Sequence, residues 1–478
     1  MSASREKKAR QEQGGEQLTP KLQKALEEQK ANRRTTAIFS VCAVLFLLGV
    51  AAMFVWNTNI IQRNAAAASV NGQTFTAADM AYYYYNSRAN LLNNNTSLDT
   101  STSLRNQAYT SGSQYDTWYD YLAQAALKSL SNATVTAQAA KDAGFDGGEE
   151  VEKSVKENMD SLDSAAASAG YTSVQYLKGV FGPLMTRSVF ERNLRTAMLA
   201  NAYASHISDT ANYSADELEA QRAADPKAYE MAEYESIVFP SSSFATEATD
   251  TTEANDGSAA ALAAAQEALA RYQAGEDLEA LATELKGTYM STASMYSTGS
   301  DMVDWLFDDA RKDGDADVLD YSYYGTSIGS AVMVFHSEGL ADYHTVSVRH
   351  ILVADEAKAN ELLAQFNAGD KTEDAFAALA TENSTDSGSK ENGGLLANVQ
   401  RGQTVKPFDA WCFDTSRQIG DTGIVQSTYG YHVIYFVGRS DYAYWQDMAA
   451  SKLGSEKLSS ITDFTDTSLL DGMKYIDR

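Results

Sequence analysis

The sequence is poor in cysteine, proline, histidine and positive charge, and each shortage excludes a class of protein. Its 478 residues include two cysteines, five prolines and five histidines. Cys42 lies in an apolar run, so Cys412 has no second cysteine beyond that run with which to form an intrachain disulfide. A net charge of −26 disfavours nucleic acid, whose phosphates need a basic surface, and it disfavours docking on anionic lipid. Since neither a P-loop nor a His-Glu-x-x-His motif occurs, nucleotide-binding and zinc-protease functions have no support.

The positive charge that does occur is concentrated before one long apolar run. Residues 1–36 hold nine Lys/Arg against five Asp/Glu, a balance of +4 that leaves −30 on the rest of the chain. Residues 37–56 are uncharged and mostly apolar, and about 20 such residues cross a membrane as a helix. The positive-inside rule then predicts a single-pass protein of the cell membrane, with a cytoplasmic tail 1–36, a transmembrane helix 37–56 and an extracytoplasmic remainder 57–478. The alternative is a signal peptide cleaved near Ala65–Ala68, but the length of the apolar run favours a retained anchor.

A short tether, residues 57–68, precedes a region with helical patterns. The run Ser69-Val-Asn-Gly-Gln-Thr-Phe-Thr76 is typical of a strand and a turn, and Thr76 with Asp79 forms a variant of the capping box. Long helical patterns follow, interrupted by a single proline at Pro183. Residues 69–225 are therefore predicted to form a helical domain.

The sequence after residue 225 contains an internal repeat. The paired segments, first copy and then second, are 236–240 with 350–354, 304–308 with 410–414, 314–315 with 420–421, and 329–335 with 430–436. The clearest pair is Asp304-Trp-Leu-Phe-Asp308 and Ala410-Trp-Cys-Phe-Asp414. Because the segments recur in the same order, the sequence predicts a duplicated unit, with copies at 226–344 and 345–440.

The second copy carries two of the five histidines in short runs of strand type. His350 lies in Val-Arg-His-Ile-Leu-Val, and His432 lies in Gly-Tyr-His-Val-Ile-Tyr-Phe. Between them are two helical patterns, a Ser/Asp/Gly loop at 383–394 and the segment Arg401-Gly-Gln-Thr-Val-Lys-Pro-Phe408. Over 345–440 this arrangement resembles the parvulin family of peptidyl-prolyl cis/trans isomerases. The resemblance implies a four-stranded antiparallel sheet with helices.

The resemblance also implies a catalytic site made of His350, Asp386 and His432. In the family pattern the two histidines hydrogen-bond to each other beneath the substrate, and the acidic loop residue faces the prolyl amide. An equally simple interpretation of the histidines is that two buried rings only satisfy each other. Asp386 has its own alternative, that of a solvated turn residue in a loop of Ser, Thr, Asp and Gly.

A substrate pocket for the proline ring is implied by the same resemblance. Phe408 matches its aromatic wall, and Phe413 and Tyr429 are further candidates for its lining. Phe408 is also compatible with an ordinary core position. Thr404 stands at the pocket floor, where the family often has Met, and Leu395-Leu396-Ala397 replaces a common Asp-Leu-Gly. These departures concern substrate fit and rate, and they leave the expected fold unchanged.

The first copy is predicted to have kept the fold and lost the site. Ser236 and Ala331 stand at the places of the two histidines, and the loop that corresponds to 384–394 is missing. Residues 226–344 are therefore predicted to be a degenerate parvulin-like domain. The Val-Asn-Gly-x-x-Phe-Thr opening of 69–225 resembles the chaperone domain of PrsA/SurA-type extracytoplasmic foldases, and 441–478 is predicted to be a C-terminal helical segment.

Together these features predict an α+β protein: an N-terminal anchor helix, a helical chaperone domain, two tandem parvulin-like domains and a C-terminal helix. The expected function is a membrane-anchored foldase that isomerises X–Pro bonds in unfolded secreted polypeptides and also acts as a chaperone. The alternative is an inactive holdase or assembly scaffold that uses the parvulin folds to bind peptide. No cofactor and no metal is implied, and His336 and His344 are interpreted as parts of a solvated linker between domains.

Overall fold

The structure is a computed structural model that describes residues 43–48, 53, 58–94, 102–246, 256–297, 301–323, 325–463 and 465–477. The predicted tail 1–36 and most of the predicted transmembrane helix 37–56 lie outside the described residues. Among the residues that are described, no helix combines the length and the apolar character that a membrane span requires. The chain divides into two compact units, 1–203 with 460–478 and 204–459. It is a mixed α/β protein with helical regions and antiparallel sheets.

The first unit is mainly helical and includes one small sheet. Its strands β1 (Ala66–Val70), β2 (Gln73–Thr76) and β11 (Thr467–Leu469) are antiparallel, in the order β11-β1-β2. Its helices are α1 (Ile60–Arg63), α2 (Ala77–Asn94), α3 (Trp118–Asp142), α4 (Gly148–Ser168), α5 (Ser173–Phe181) and α6 (Arg187–His206). The predicted C-terminal helical segment 441–478 is thus helical only in part, because it also contributes β11.

Capping and helix-breaking residues set the helix boundaries. Thr117 and Asp120 form a capping box at the start of α3. α3 is one continuous helix, because residues 131–134 in its middle include neither glycine nor proline. Gly182, at φ 78°, and Pro183 separate α5 from α6, because a left-handed backbone and a missing N–H group both end a helix.

The last residues of the chain return to the core of the first unit. Leu469 pairs with Ala68, so β11 completes the sheet. Arg105 donates hydrogen bonds to the carbonyl oxygens of Met473, Ile476 and Asp477, at 3.2, 2.7 and 3.2 Å. A guanidinium with several carbonyl partners fastens the chain end through charge-assisted hydrogen bonds.

The second unit contains two four-stranded antiparallel sheets. The strands of the first are β3 (Glu230–Pro240), β4 (Thr288–Met295), β5 (Ala316–Tyr323) and β6 (Thr326–Leu340), in the order β4-β3-β6-β5. The strands of the second are β7 (His344–Val353), β8 (Leu395–Val399), β9 (Thr422–Ser427) and β10 (Gly430–Ala443), in the order β8-β7-β10-β9. The helices are α7 (Ala215–Ala224), α8 (Ser258–Gln273), α9 (Leu278–Leu285), α10 (Asp301–Leu306), α11 (Glu356–Ala368), α12 (Glu373–Asn383), α13 (Lys406–Cys412) and α14 (Tyr444–Thr462).

The two sheets share strand order and pairing register. Ser236 pairs with Met333 in the first sheet, as His350 pairs with Ile434 in the second. The position of His432 is taken by Ala331, which pairs with Val238. One pairing pattern therefore carries the site residues in one sheet and apolar or small residues in the other.

The repeated Trp-x-Phe-Asp motif has the same geometry in both copies. Arg311 lies 4.2 Å from the ring centre of Trp305 and donates to its carbonyl oxygen at 2.9 Å. Arg417 lies 4.4 Å from the ring centre of Trp411 and donates to its carbonyl oxygen at 3.3 Å. Because the same contacts occur in the copy that lacks the two histidines, they serve the fold of each sheet.

The contacts of Arg105 predict how strongly the chain end stabilises the first unit. Hydrogen bonds from a charged donor contribute about 1.5–3 kcal/mol, so Arg105→Ala is expected to destabilise the β1–β11 pairing by about 2 kcal/mol. Hydrogen exchange followed by mass spectrometry should then show about 30-fold faster exchange in peptides covering β1 and β11. Lys156→Ala is the control, because its pair with Asp160 is exposed and such pairs contribute little. Unchanged exchange in Arg105→Ala would show that the chain end is held by other contacts.

Candidate active site

The strand register brings the two predicted catalytic histidines onto one face of the second sheet. His350 lies on β7 opposite Ile434, and His432 lies on β10 opposite Leu352. Because side chains alternate along a strand, His432 and Ile434 point to the same face of the sheet. His350 points to that face as well, because it pairs directly with Ile434. The two imidazoles are therefore diagonal neighbours across adjacent strands.

The rings are buried and within hydrogen-bond distance of each other. His350 is 5% exposed and His432 is 6% exposed. The Nδ1 atoms of the two rings are 3.3 Å apart. Two buried rings at this distance need opposite roles at Nδ1, one as donor and the other as acceptor.

The loop after α12 brings Asp386 to the far side of His350. Its Oδ2 atom lies 2.9 Å from Nε2 of His350 and also accepts the hydroxyl of Ser389. The side chain of Asp386 is 29% exposed, so this carboxylate is in contact with solvent while the rings beneath it are not. Ser384 holds the start of the loop on the sheet, since its hydroxyl oxygen accepts the N–H groups of Leu352 and Asp386.

The partners of the four ring nitrogens determine where the protons lie. An ionised carboxylate only accepts, so Nε2 of His350 carries a proton that it donates to Asp386. Nδ1 of His350 is then an acceptor, and it receives the Nδ1 proton of His432. Nε2 of His432 is left as the acceptor for the hydroxyl of Ser427, 2.7 Å away. The site is thus one chain of hydrogen bonds that runs from Ser427 to Asp386.

The electrostatics agree with two neutral rings beside a carboxylate. Burial lowers the pKa of His350, although the hydrogen bond and the charge of Asp386 act in the opposite direction. Burial, and then the neighbouring His350, lower the pKa of His432 to about 4. Burial by itself raises the pKa of Asp386, but hydrogen bonds from Ser389, His350 and the N–H of Gly388 outweigh it, so the net shift is downward.

Phe408 joins the histidines to an apolar cluster. It is 2% exposed, and its ring meets His350 and His432 edge to face, with centroids 5.5 and 5.2 Å apart. It also belongs to the core that contains Phe413. Phe408 is therefore a core residue and a neighbour of both imidazoles at the same time.

The other three predicted pocket residues lie in different environments. Phe413 is buried with its ring edge-on to Tyr343, at 5.7 Å between centroids. Thr404 is half-buried, and its hydroxyl oxygen is enclosed without a hydrogen-bond partner. Tyr429 is 73% exposed, so the structure does not bring it into the buried cluster; its backbone N–H binds the hydroxyl of Ser427.

Sequence reasoning missed the three serines that support the site. Ser384 and Ser389 belong to the loop of Asp386, and a loop rich in Ser, Asp and Gly gives no reason to choose among its hydroxyls. Ser427 pairs directly with Gly430 across the β9–β10 turn and lies five residues before His432. That short separation is the one signal in the sequence that points to a partner for the ring.

The interpretation of His336 and His344 as parts of a linker was wrong. His336 lies in β6, where its ring contacts Glu235 and Asp313, and His344 begins β7, with Nδ1 2.8 Å from the carbonyl oxygen of Ser440. Over the described part of the chain, no group of three or more His, Cys, Asp or Glu side chains is arranged to hold a metal ion.

Comparison with known proteins gives the same assignment for this part of the chain. The sequence pattern of the PPIC-type PPIase domain matches residues 334–439. Foldase protein PrsA 1 of Listeria innocua is 41% identical over 96 residues, which are 20% of this chain and 31% of that protein. Foldase protein PrsA 3 of Bacillus cereus is 45% identical over 91 residues, 19% of this chain and 30% of that protein.

The similarity to these relatives covers about a fifth of this chain. The chain spans about a third of the length of the curated relatives that it matches. A solved structure of the peptidylprolyl isomerase PrsA from Bacillus cereus is 29% identical and covers 26% of this chain and 49% of its own, with a TM-score of 0.20. Residues 334–439 of this chain, which carry His350, Asp386 and His432, are a PPIC-type peptidyl-prolyl isomerase domain of the parvulin family.

Proposed function

We propose that this chain is a foldase that isomerises X–Pro bonds in unfolded polypeptides. The observation that carries the proposal is the hydrogen-bonded pair His350–His432 with Asp386 above it, within the matched PPIC-type domain. Uncatalysed prolyl isomerisation takes tens of seconds or longer and limits folding, so its catalysis shortens the time for which a client exposes apolar surface.

Prolyl isomerisation requires few catalytic groups from the protein. The barrier of about 18–20 kcal/mol arises because the amide loses resonance as it twists, and no nucleophile or metal is needed to lower it. The twisted amide has a more basic nitrogen and a more ketone-like carbonyl than the planar one. An apolar wall for the pyrrolidine ring, supplied by Phe408, and polar groups that favour the twisted state, supplied by the Asp386 and histidine network, act in the required sense.

We also propose that the protein acts outside the cell membrane. The basic residues before the uncharged run 37–56 support an anchor in the cell membrane with residues 57–478 outside. The clients are then unfolded secreted chains that contain proline. The helical region 69–225 is proposed to act on them as a chaperone domain, and 226–344 is proposed to be a second parvulin-like domain without a site of its own.

A second candidate is a holdase or scaffold that binds peptide without turnover. Thr404 favours it, because a hydroxyl without a partner at the pocket floor is a poor surface for a pyrrolidine ring. The residues 350, 386 and 432 favour the isomerase. The two candidates differ in one measurable property, the rate of isomerisation.

The first prediction on function concerns His432 and Asp386. His432→Ala and Asp386→Asn are each expected to lower kcat/KM for a proline-containing peptide by at least about tenfold, because the first removes a member of the chain of hydrogen bonds and the second removes the charge on which the chain ends. The measurement is a protease-coupled assay of the purified chain. His344→Ala is the matched control, since that ring lies outside the site. A wild-type rate equal to that of His432→Ala would leave the holdase as the better assignment.

The second prediction concerns pH. The pKa of His432 is lowered to about 4 in the fold, so its neutral form persists well below the usual histidine range of about 6.5. The activity is therefore expected to stay level from pH 8 to about pH 5.5 and to fall as the pH approaches 4, when the ring gains a proton. NMR exchange spectroscopy on a proline peptide measures the rate without a coupling protease. A midpoint near pH 6.5 would contradict a buried neutral ring.

The third prediction separates the chaperone from the enzyme. Residues 57–478 are expected to suppress aggregation of a chemically unfolded client, as followed by light scattering. His432→Ala should suppress it equally well, because holding a client does not use the imidazole pair. If neither protein alters the scattering curve, the chaperone part of the proposal is wrong while the isomerase part stands.

A further inference from the structure

The segment that carries the proline-pocket residues has a second face, which contacts the first sheet of the same unit. Residues 400–405 lead into α13, whose Phe408 lies beside the histidines. The same segment contains Gly402 and Lys406. Both of these residues contact strands of the sheet that lacks a site.

Gly402 is held on both sides by backbone hydrogen bonds. Its carbonyl oxygen accepts the hydroxyl of Thr292 on β4 at 2.8 Å, and its N–H donates to Asp409 of α13 at 2.9 Å. Its φ is +73°, and a Cβ there would overlap the amide nitrogen of Ala293. Only glycine allows this close approach of the loop to the edge strand β4.

Lys406 is fastened by a carboxylate in the first sheet. Its Nζ lies 2.7 Å from Oε1 of Glu235, whose side chain is only 16% exposed. The same carboxylate also accepts from the hydroxyl of Tyr289 and lies 3.0 Å from Nε2 of His336. Burial alone raises the pKa of Glu235, but the hydrogen bonds from Lys406, Tyr289 and His336 outweigh it and lower the pKa to about 2. The carboxylate is thus a fixed anion at any working pH.

Glu235 contacts both sheets, since it binds Tyr289 and His336 of its own sheet and Lys406 beside the second. Glu235 directly precedes Ser236, the residue at the place of His350, so it points to the opposite face of its strand. A nearly buried anion is costly unless it is paired, and the ammonium group of Lys406, which contacts it, comes from α13 beside the second sheet. The ion pair therefore ties α13 to a carboxylate that its own sheet already holds in place.

We propose that Glu235 and Thr292 are positioning residues for the isomerase site, so that the sheet without a site holds the 401–408 segment, and with it Thr404 and Phe408, in place for the proline ring. The proposal rests on the isomerase function proposed above. It gives residues 226–344 a role within the same chain that requires no catalytic group of their own. Contacts at Gly402 and Lys406, with Arg401 lying 3.4 Å from Glu233, restrict the shifts of about an ångström that would loosen such a pocket.

The test uses two nearly isosteric variants of the full chain, Glu235→Gln and Thr292→Val. Each is expected to raise KM for a proline peptide about fivefold and to leave kcat within about twofold, because the pocket wall contributes to substrate binding in the ground state and in the transition state alike. Lys406→Met should reproduce the effect of Glu235→Gln. The double variant Glu235→Gln/Lys406→Met should have a KM no higher than that of either single variant, because the two substitutions remove the same interaction.

A matched control and a second readout keep the two proposals apart. Asp317→Asn makes the same change from acid to amide on β5, the opposite edge of the same sheet, and should leave KM unchanged. Hydrogen exchange of peptides covering 401–408 should be faster in Glu235→Gln and in Thr292→Val than in Asp317→Asn, whether or not the enzyme turns over. Wild-type KM together with wild-type exchange in both variants overturns the positioning role. If the wild-type chain is no faster than His432→Ala, the isomerase proposal is wrong. The hydrogen-exchange result then tests the positioning of the 401–408 segment independently of catalysis.

Discussion

The candidate site depends on the pairing of strands β7 and β10, which sets two imidazoles side by side in an apolar surrounding. Two buried histidines repel each other if both are charged. If both are neutral and lack partners, their ring nitrogens are left as unsatisfied buried polar groups. Here each ring nitrogen has a partner, and the chain of hydrogen bonds has one direction because it ends on the carboxylate of Asp386. A slip of one residue in the register would turn His432 to the other face of the sheet and separate the two rings.

The two sheets of the second unit show that fold and site are separable. Both have the same strand order, and in both an arginine lies over the tryptophan of the repeated motif. The first sheet nevertheless has Ser236 and Ala331 where the second has its histidines. Packing contacts are sufficient for the fold, whereas function resides in a few polar side chains and in one loop that only the second sheet possesses.

Contacts between segments that are distant in sequence connect the parts within each unit. Arg105 fastens the chain end to the first unit, and Glu235 meets Lys406 within the second. In both cases a charged group that is largely withdrawn from water has its partner far along the chain. Each such contact gives a charged group a partner that only the fold places beside it. They are therefore good places to look for residues that position a site without taking part in its chemistry.

The duplicated pattern, the strand character of the two histidine runs and the loop of Asp386 could be predicted from the amino acids alone, because alternation, order and turn composition are local properties. The sequence also singled out His350, Asp386 and His432, which the structure brings together. The folded chain was needed to show that Tyr429 faces solvent, that Ser389 and Ser427 complete the network, and that the chain end enters the first unit as β11. The contact of Glu235 with Lys406 was likewise invisible, since 171 residues separate them. The physical reason is common to all of these: a hydroxyl or a charge has no preferred partner until packing places one beside it.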